Sequence, residues 1–367
     1  MSRTFLVTGG AGFIGVNFVK MLLENGDSNV VVLDALTYAG NLESLRSEIQ
    51  DGRITFVHGD IADRALVDAT LAQYRPDYIV NFAAESHVDR SVTDPRPFVE
   101  TNVLGTQTLL DSARAYVASG GRLEKFVQIS TDEVYGDLSI DFESPVVNAV
   151  LSEKLGRQVA LYGREVFHHD SPLRPSSPYS ASKASADMMA LAYHRTFGLP
   201  VVITRCSNNY GPYQFPEKLI PLMLNNILEG RPLPVYGRGL NVRDWIHVDD
   251  HCRGVLLAAE KGRPGAVYTF GGYSERRNID LVHELIAASG HPEAADTITY
   301  VGDRPGHDLR YAIDASLAMD ELGWRPRHDF GSGLRATVRW YMANRPWVER
   351  IVSGSYRDYY TKMYSNR

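Results

Sequence analysis

The chain has 367 residues, of which 44% are hydrophobic and 22% charged, and this ordinary globular composition suffices for one large α/β domain with an appended lobe. Its formal net charge is −6 and acidic and basic residues are mixed along the chain, so neither nucleic acid nor an anionic membrane surface is indicated as a partner. Only two cysteines occur, and neither a leader-like segment nor an apolar run of membrane-spanning length is recognisable, so we expect a cytoplasmic protein without disulfides.

Short β-branched runs alternate with amphipathic helical patterns through the first two thirds of the chain. The predicted strands are Phe5–Thr8, Val30–Leu33, Ile54–His58, Tyr78–Asn81, Phe126–Ile129 and Val201–Thr204. The predicted helices between them are Phe13–Glu24, Leu66–Tyr74, Val103–Tyr116 and Ala181–Phe197. Near-continuous apolar strands separated by helices predict an α/β fold with a doubly wound parallel sheet, which binds ligands beyond the carboxyl ends of its strands.

A glycine-rich loop, Thr8–Gly15, follows the first predicted strand and opens the first helix. Its glycines permit a tight turn and let backbone N–H groups approach a pyrophosphate at the helix N-terminus, although the same pattern also occurs in plain structural turns. Asp34 ends the second strand, where a carboxylate accepts hydrogen bonds from a ribose diol and repels a 2′-phosphate. Since no Arg or Lys lies between Asp34 and Arg46, the sequence predicts NAD rather than NADP as the cofactor.

Two groups of residues suited to acid–base chemistry follow later strands. Tyr179 and Lys183 stand at i and i+4 on one face of a helix that Ser177 could cap. Lowering the pKa of a tyrosine by about three units requires about 4 kcal/mol, which a nearby ammonium and an oxidised nicotinamide could together supply. Asp132 and Glu133 end the fifth strand and are candidates for an acid and a base held at different pKa values. A surface Tyr/Lys pair and a solvated turn are the structural alternatives.

After Tyr210 the regular alternation ends, because Pro, Gly and aromatic residues crowd Gly211–Pro216 and Pro232–Trp245. One further strand, Ala266–Phe270, is expected to return to the sheet. We therefore predict that residues 1–210, with this returning strand, form an NAD-binding Rossmann domain. Residues 211–367 are predicted to form mainly a smaller C-terminal lobe that binds the substrate.

Five stretches of the chain match a known family. They are Asp34–Leu42, Ala83–Ser91, Thr131–Gly136, Tyr179–Lys183 and Asn208–Pro221. On these residues the chain resembles the extended short-chain dehydrogenases, and specifically the dTDP-glucose 4,6-dehydratases. The tyrosine–lysine motif is shared by the whole superfamily, whereas the Thr-Asp-Glu triplet and the Glu-Lys-Leu-Ile-Pro loop are considerably more specific.

The resemblance implies a lyase reaction on a nucleotide sugar, with no net redox change. Tyr179, its pKa lowered by Lys183, would remove the proton of the sugar 4-hydroxyl while C4 gives a hydride to NAD, and Thr131 would hydrogen-bond the 4-oxygen. Glu133 would take the C5 proton and Asp132 would protonate the departing C6 hydroxyl, before the hydride returns to C6. Glu133 must then be ionised while Asp132 is protonated, so the site must raise the pKa of Asp132 by burial or by its charged neighbour.

The resemblance also implies two sets of ligand-binding residues. NAD would be bound by Gly9, Gly12, Phe13, Ile14, Gly15, Asp34, Leu36, Thr37, Gly40, Asp60, Ile61, Ala83, Ala84, Thr101, Tyr179, Lys183 and Asn209. The nucleotide sugar would be bound by Glu85, Ser86, Thr131, Asn208, Glu217, Lys218, Leu219, Pro234, Tyr236, Arg243, Asn278, Arg304 and His307. Asp60 and Ile61 would flank the adenine, and the arginine side chains would contact the diphosphate. Arg243 could instead form a local ion pair, and Tyr236 could be a core residue.

Several alternative functions share parts of this pattern. Nucleotide-sugar 4-epimerases and UDP-glucuronate decarboxylases keep the Tyr/Lys pair. They are less similar to this chain at Asp132 and Glu133, because neither reaction needs a pair of residues for elimination. A 4,6-dehydratase of a UDP-, CDP- or GDP-hexose differs only in base recognition. A non-catalytic NAD sensor usually lacks the tyrosine or the lysine, and this chain has both.

Three further expectations concern the surroundings of the site. The stretch His168–Asp170 has no accompanying Cys or His set with ligand spacing, so no metal is assigned. The segment 137–171 is longer than the resemblance leads us to expect; we predict a helix around Val150–Leu155 and a lid-like border on the sugar pocket. The resemblance also implies a homodimer packed through the helices at 103–116 and 181–197.

Overall fold

The computed structural model describes residues 2–26 and 28–351. Its strands are β1 (Arg3–Thr8), β2 (Ser28–Asp34), β3 (Ile54–His58), β4 (Tyr78–Asn81), β5 (Lys125–Thr131), β6 (Val146–Val147), β7 (Ala160–Leu161), β8 (Val201–Cys206), β9 (Asn208–Tyr210), β10 (Leu233–Tyr236), β11 (Val242–His247), β12 (Val267–Phe270), β13 (Glu275–Arg277) and β14 (Ile298–Val301). Its helices are α1 (Phe13–Asn25), α2 (Arg46–Gln50), α3 (Arg64–Tyr74), α4 (Val88–Thr93), α5 (Arg96–Phe98), α6 (Thr106–Ala118), α7 (Ala149–Leu155), α8 (Pro178–Phe197), α9 (Leu219–Leu228), α10 (Val248–Lys261), α11 (Asn278–Ser289), α12 (Ser316–Leu322), α13 (Phe330–Ala343) and α14 (Arg345–Ile351). A π-helical segment, Val99–Gly105, joins α5 to α6.

Seven parallel strands form the central sheet, in the order β12-β8-β5-β4-β1-β2-β3. These are the seven strands that the sequence predicted, including the strand that returns late in the chain. Every residue of β4, β5 and β8 is buried, because helices cover both faces of the sheet. The strand order reverses between β1 and β4, and a cleft opens at the carboxyl ends of such neighbouring strands.

The helices form two layers around this sheet, as the doubly wound prediction requires. On one face, apolar residues of α1 and α10 pack against β1, β2 and β4. On the other face, α3, α6 and α8 contribute the apolar residues that pack on the sheet. The predicted domain division at Tyr210 remains a prediction, and two later elements, α10 and β12, belong to the layers of the central sheet.

A second group of elements lies after β8 and has its own core. It contains the three-stranded sheet β13-β11-β9, the pair β10-β14 and the helices α9, α11, α13 and α14. Tyr210, Trp245, Phe330 and Trp347 are among the buried aromatic residues of this core. Residues 352–367 of the predicted substrate lobe lie outside the described residues. In the part of the chain that the structure describes, no helix combines the length and the apolar character needed to cross a membrane.

Candidate active site

A cavity of about 300 Å³ lies at the carboxyl edge of the sheet, where the strand order reverses. Every predicted NAD-binding residue except Leu36 lines it. Leu36 contributes through its backbone, because its N–H donates a hydrogen bond to Asp34 Oδ1 at 2.8 Å. Leu36 thus lies in the turn beside Asp34, and its contact with NAD remains a prediction.

The glycine loop between β1 and α1 fits a pyrophosphate. Gly9 has a φ of +68°, and a Cβ at Gly9 would lie 2.5 Å from the backbone nitrogen of Ala83. A Cβ at Gly15 would overlap with the carbonyl oxygen of Gly9. α1 begins at Phe13 without a side chain capping its first N–H groups. An uncapped N-terminus on a 13-residue helix, beside a loop of three glycines and one alanine, is suited to a negatively charged group.

Asp34 gives this cavity a preference for NAD over NADP. Its Oδ2 accepts from the backbone N–H of Ala11 at 2.9 Å, which fixes the carboxylate at the end of β2. Burial raises the pKa of Asp34, while this contact and the N–H of Leu36 oppose the rise. The neighbouring lining residues are Ala35, Thr37, Gly59, Asp60 and Ile61, none of which is cationic. A ribose diol fits this surface, whereas a 2′-phosphate would meet two carboxylates.

The predicted catalytic residues meet at the same cavity from two elements. β5 ends at Thr131, whose hydroxyl caps the following 3₁₀ turn by accepting from the N–H of Glu133 at 3.3 Å. α8 begins at Pro178, and the Ser177 and Ser180 side chains form a reciprocal capping box there. The Thr131 hydroxyl is also a hydrogen-bonding neighbour of the Tyr179 phenol. The two predicted groups of residues therefore form one site.

The two adjacent carboxylates have different surroundings. Asp132 is 2% exposed, and its Oδ2 has no hydrogen-bond partner among the described residues. Burial, followed by the charge of Glu133, raises the pKa of Asp132 well above its usual value. Burial also raises the pKa of Glu133, but the positive charges of Arg304, Arg243 and Lys218 oppose that rise. Of the two carboxyl groups, Asp132 therefore has the more strongly raised pKa, and this is the order that the mechanism implied by the resemblance requires.

The tyrosine–lysine pair departs from the expected electrostatics. Burial, followed by the charge of Glu133, raises the pKa of Tyr179 well above 10. Lys183 donates from Nζ to the Ile129 carbonyl oxygen at 2.6 Å, and burial lowers its own pKa. The protein's own groups therefore raise the pKa of Tyr179, and the lowering that the sequence analysis expected depends also on the positive charge of an oxidised nicotinamide.

A second, smaller cavity of about 190 Å³ adjoins the first. The two share Glu133, Asn208, Glu217 and Lys218 among their lining residues. The other predicted substrate residues divide between them, with Glu85, Ser86 and Thr131 at the first, and Leu219, Pro234, Tyr236, Arg243, Asn278, Arg304 and His307 at the second. All thirteen predicted substrate residues are thus brought to one continuous cleft.

Buried polar atoms in this second cavity fit a polar ligand. Arg304 Nη1, Asn208 Oδ1 and Asn278 Oδ1 are buried and have no hydrogen-bond partner among the described residues. Arg243 is held by its own neighbours, since it donates to the carbonyl oxygens of Val242 and Asp308, each at 2.8 Å. A nucleotide diphosphate offers acceptors for the arginine and donors for the two amide oxygens.

Glu217 connects the loops around the cleft. Its side chain is 1% exposed and lies 3.3 Å from Arg90 Nη2, and it also hydrogen-bonds the Tyr38 hydroxyl. The guanidinium of Arg90 lies 3.8 Å from the centroid of the Tyr38 ring. Glu217 lines both cavities, and its carboxylate joins the loop after β2 to α4. Its contact with the substrate remains a prediction.

The sequence analysis missed two acidic neighbours of the site residues, Asp89 inside a matching stretch and Asp187 just after one. Asp89 accepts a hydrogen bond from the Tyr236 hydroxyl at 2.8 Å and lies 3.6 Å from Arg304 Nε, so it holds two predicted substrate residues. Asp187 lies one helical turn after Lys183 and is completely buried. A charged residue on the buried face of a helix was the available signal for Asp187, since such a group requires a partner.

The predicted lid is wrong. None of the described residues 137–171 lines either cavity. The predicted helix is present as α7, but Val159 and Leu161 of this segment pack into the core formed with β12 and α12. Arg157 also donates to the Gly272 carbonyl oxygen at 2.6 Å. Leu138 and Phe167 of the segment pack in a further core with Tyr135 and Tyr311, so the segment packs against the protein behind the residues that line the cleft.

One group of potential metal ligands exists that the sequence did not indicate. His247, Asp249 and His328 each offer an atom within 4.8 Å of the others. His247 Nδ1 already accepts from the N–H of Asp249 at 3.2 Å, and the two imidazole rings are stacked with centroids 4.0 Å apart. Stacked rings do not direct their lone pairs at a common point, so we assign no metal to this group.

Comparison with known proteins finds relatives along the whole chain. Residues 5–271 match the model of the NAD dependent epimerase/dehydratase family. The dTDP-glucose 4,6-dehydratase of Salmonella typhimurium is 47% identical over 371 residues, covering 99% of each chain. The crystal structure of the dTDP-glucose 4,6-dehydratase DesIV from Streptomyces venezuelae, with NAD and dTDP bound, has a TM-score of 0.84 at 47% identity and covers 95% of this chain and 100% of its own. A UDP-glucose 4-epimerase from Thermotoga maritima has a TM-score of 0.79 at 28% identity, covering 94% and 100%.

Proposed function

The chain belongs to the NAD dependent epimerase/dehydratase family, and on that premise we propose that it is an NAD-dependent dTDP-glucose 4,6-dehydratase. The reaction converts dTDP-glucose to dTDP-4-keto-6-deoxyglucose and water. The observation that carries the proposal is the carboxylate pair Asp132 and Glu133 beside Tyr179, because epimerisation at C4 needs no elimination pair. The 47% identity to a dTDP-glucose 4,6-dehydratase, against 28% to a 4-epimerase, supports the same choice.

The cofactor is NAD, bound along the first cavity. The glycine loop would hold its pyrophosphate and the Asp34 carboxylate its adenosine ribose. When bound there, NAD would supply the hydride chemistry of the reaction, as acceptor of a hydride from the sugar C4 and as its donor to C6. Thr101 and Ala84 also line this cavity.

Tyr179 is the residue that moves the proton of the sugar 4-hydroxyl in this proposal. Because burial raises its pKa, its ionised form requires positive charge nearby. Lys183 supplies one such charge from the same face of α8, and an oxidised nicotinamide would supply another. Thr131, which neighbours the Tyr179 phenol, would hydrogen-bond the same sugar oxygen.

The two carboxylates divide the elimination between them. Glu133, stabilised as an anion by nearby cations, takes the proton from C5 once C4 is a ketone. Asp132, kept protonated by burial, gives its proton to the C6 hydroxyl, which leaves as water. A carboxylic acid and a carboxylate side by side can perform both transfers only if their pKa values differ in this order.

The nucleotide is expected in the second cavity. Arg304 and Lys218 are positioned to meet the diphosphate, while Tyr236, Asn278 and His307 surround the space for the base and ribose. A dehydratase acting on another nucleotide hexose would use the same catalytic residues, so the nucleotide is the part of the assignment that the experiment below must test separately.

A homodimer and a cytoplasmic location complete the proposal. Large apolar side chains that are 40–58% exposed lie on α4, the π-helical segment, α6 and α8: Val92, Val99, Leu104, Val117, Met188 and Phe197. Such a face is suited to a second copy of the chain packed through the helices that the sequence named. The cytoplasmic location remains a prediction from the sequence.

The proposal is tested by incubating the purified protein with dTDP-glucose in D₂O without added cofactor, and following the nucleotide sugar by mass spectrometry. We expect a product that has lost one water and carries one deuterium at C5, because C6 receives the hydride from C4. Tyr179→Phe, which keeps the ring and removes the hydroxyl, should lower the rate by at least about 100-fold. If the protein converts nothing, NAD is added, and then UDP-, CDP- and GDP-glucose are tried. Loss of water from one of these would correct only the nucleotide, and no loss from any would refute the dehydratase.

A further inference from the structure

Asp187 lies behind the catalytic tyrosine and lysine and has no role in the reaction described above. It is on α8, four residues after Lys183 and eight after Tyr179, and it has no exposed surface. An i, i+4 spacing places the carboxylate and the ammonium on the same face of the helix. Asp187 is thus a buried carboxylate beside Lys183, whose ammonium must also carry its charge while it is buried.

The contacts of Asp187 join three elements of the site. Its Oδ2 accepts from Ser130 Oγ and from Arg205 Nε, each at 2.9 Å. Ser130 is on β5, next to Thr131, and Arg205 is on β8. Arg205 continues the network by donating to the Tyr135 hydroxyl at 2.8 Å. The carboxylate therefore fixes α8 against the two strands that end at the cavity.

The second carboxylate oxygen, Oδ1, is buried without a hydrogen-bond partner among the described residues. Such an oxygen is stabilised by nearby positive charge, and the cations that act on Asp187 are Arg205 and Lys183. The Lys183 ammonium in turn donates a hydrogen bond to the Ile129 carbonyl oxygen at 2.6 Å. A neutral carbonyl alone is a weak partner for an ammonium that is 4% exposed.

We propose that Asp187 is a positioning residue that holds the Lys183 ammonium in its charged form beside Tyr179, with Arg205 as the counter-cation that keeps Asp187 ionised. This inference rests on the proposed dehydratase function. Burial lowers the pKa of Lys183, and the charge of Asp187 is the first influence that opposes it. Arg205 likewise opposes the effect of burial on the pKa of Asp187.

Other titratable groups also surround these residues and must be separated from Asp187 in a test. Those that act on Tyr179, Lys183 or Asp187 in the described structure include Asp132, Glu133, Arg205 and Cys206, and Tyr135 in turn acts on Arg205. Asp132 and Glu133 serve the elimination, so a substrate that cannot undergo it isolates the first step. dTDP-6-deoxyglucose has no C6 hydroxyl to lose. Its oxidation at C4 needs only Tyr179 and Lys183: the hydroxyl proton goes to Tyr179 and the hydride goes to NAD.

The experiment measures single-turnover NADH formation at 340 nm from dTDP-6-deoxyglucose across pH, with the NAD-loaded protein. In Asp187→Asn we expect both limbs of the pH profile to move to lower pH, the alkaline limb by about one unit, because loss of a negative charge lowers the pKa of both Lys183 and Tyr179. Ser130→Ala is the matched control, since it removes a hydrogen bond from the same oxygen and leaves the charge. Its limbs should remain where those of the parent protein are.

The outcome that overturns the proposal is an alkaline limb that stays in place in folded Asp187→Asn. If that variant does not fold, the double variant Asp187→Asn/Arg205→Met gives the same test, because it removes the buried pair without leaving Arg205 unpaired. Failure of both variants to fold would assign Asp187 to the scaffold and would also overturn the proposal. Failure of the function itself is distinguishable, because the parent protein would then not dehydrate dTDP-glucose at all.

Discussion

At the scale of single residues, the site maintains a carboxylic acid where a carboxylate would ordinarily be found. Asp132 is buried, and beside it lie the charges of Glu133 and Asp244, which all disfavour its ionised form. Folding must therefore bury a group that water would solvate better. Residues held in this way for catalysis usually lower the stability of the protein.

Asp132→Asn should therefore stabilise the protein while it abolishes turnover. Asparagine has nearly the same shape and no charge to bury, so we expect a gain of about 1 kcal/mol in the free energy of unfolding at pH 8. The rate of dehydration should fall by at least about 100-fold, because the C6 hydroxyl loses its acid. Thermal unfolding at several pH values, together with the mass-spectrometric assay, measures both quantities.

The stability difference should grow with pH, and its sign follows from the raised pKa. The unfolded chain releases the Asp132 proton near pH 3.8, whereas the folded protein retains it to a higher pH. Between these two values the folded state binds more protons, so the stability of the parent protein falls as pH rises. Asp132→Asn does not undergo this pH-dependent loss of stability. The amount by which its free energy of unfolding exceeds that of the parent protein should therefore increase from pH 4 to pH 8. Asp170→Asn, at an exposed carboxylate, is the control; an equal or lower stability of Asp132→Asn at pH 8 would contradict the assignment.

At the scale of secondary-structure elements, one buried carboxylate joins α10 to the segment that precedes α13. Asp250 Oδ2 accepts from the backbone N–H groups of Arg327 at 2.9 Å and His328 at 2.8 Å, and from His328 Nδ1 at 3.0 Å. Arg253 also donates to Asp250, at 2.8 Å. These hydrogen bonds set the start of α13, whose Tyr341 then donates to the Gln214 carbonyl oxygen at 2.6 Å, beside the substrate loop.

His328→Gln should weaken this connection in a pH-dependent way. The hydrogen bond to Asp250 raises the pKa of His328 above its ordinary value of 6.5. The stabilisation is therefore complete below about pH 6.5 and is lost as pH rises through the folded-state pKa. We expect a cost of about 1 kcal/mol at pH 6, after allowing for partial solvent exposure, and a smaller cost at pH 9. Urea unfolding at the two pH values measures it.

His291→Gln is the matched control for this prediction. His291 also pairs with a carboxylate, Glu293 Oε1 at 3.0 Å, but both side chains are exposed, at 41% and 71%. Exposed ion pairs contribute little to stability, so this variant should cost nearly nothing at either pH. A cost for His328→Gln that is the same at pH 6 and pH 9 would show that the imidazolium does not contribute.

The sequence was sufficient to predict the strands and helices whose apolar residues recur with a regular period. It was insufficient where tertiary contacts determine the conformation of a segment. The β-branched runs predicted all seven strands of the central sheet, because a parallel sheet buries both faces and leaves a continuous apolar signal. The π-helical segment Val99–Gly105 was not predictable, since its sequence continues the pattern of an ordinary helix. Its contacts explain its conformation, because Asn102 within it bonds both the Glu85 backbone and Ser182 Oγ.

The candidate site shows the same division. The glycine loop, Asp34, the pair Asp132 and Glu133, and the pair Tyr179 and Lys183 were identified from short motifs at the ends of strands or on one helix face, where proximity follows from the fold. Most of the other ligand-binding residues were implied by the family resemblance. The sequence did not show that desolvation would dominate the pKa of Tyr179, because burial depends on the whole surrounding structure. It also could not show that residues 137–171 pack beside β12 and α12, since an inserted segment carries no signal of which surface it will cover.

At the scale of the whole molecule, the described residues line the whole cleft, and a separate flank formed by α4, the π-helical segment, α6 and α8 exposes apolar side chains. Residues from the central-sheet domain and from the later elements line both cavities, so the catalytic and nucleotide-binding groups proposed above all come from one chain. The exposed apolar side chains of α4, the π-helical segment, α6 and α8 do not line either cavity. Their exposure is therefore not required for ligand access, and packing against a second copy of the chain would remove these side chains from water.

Leu104→Lys/Met188→Lys should accordingly convert a dimer into a monomer without removing the catalytic groups. These two side chains are 51% and 58% exposed, and lysine at both positions would place like charges at a two-fold interface. Val150→Lys is the control, because Val150 is apolar and 75% exposed but lies on α7, away from this flank. Light scattering after size-exclusion chromatography should give a dimer for the parent protein and Val150→Lys, and a monomer for the double variant. A double variant that remains dimeric would place the interface elsewhere, whereas a monomeric parent protein would refute the homodimer itself.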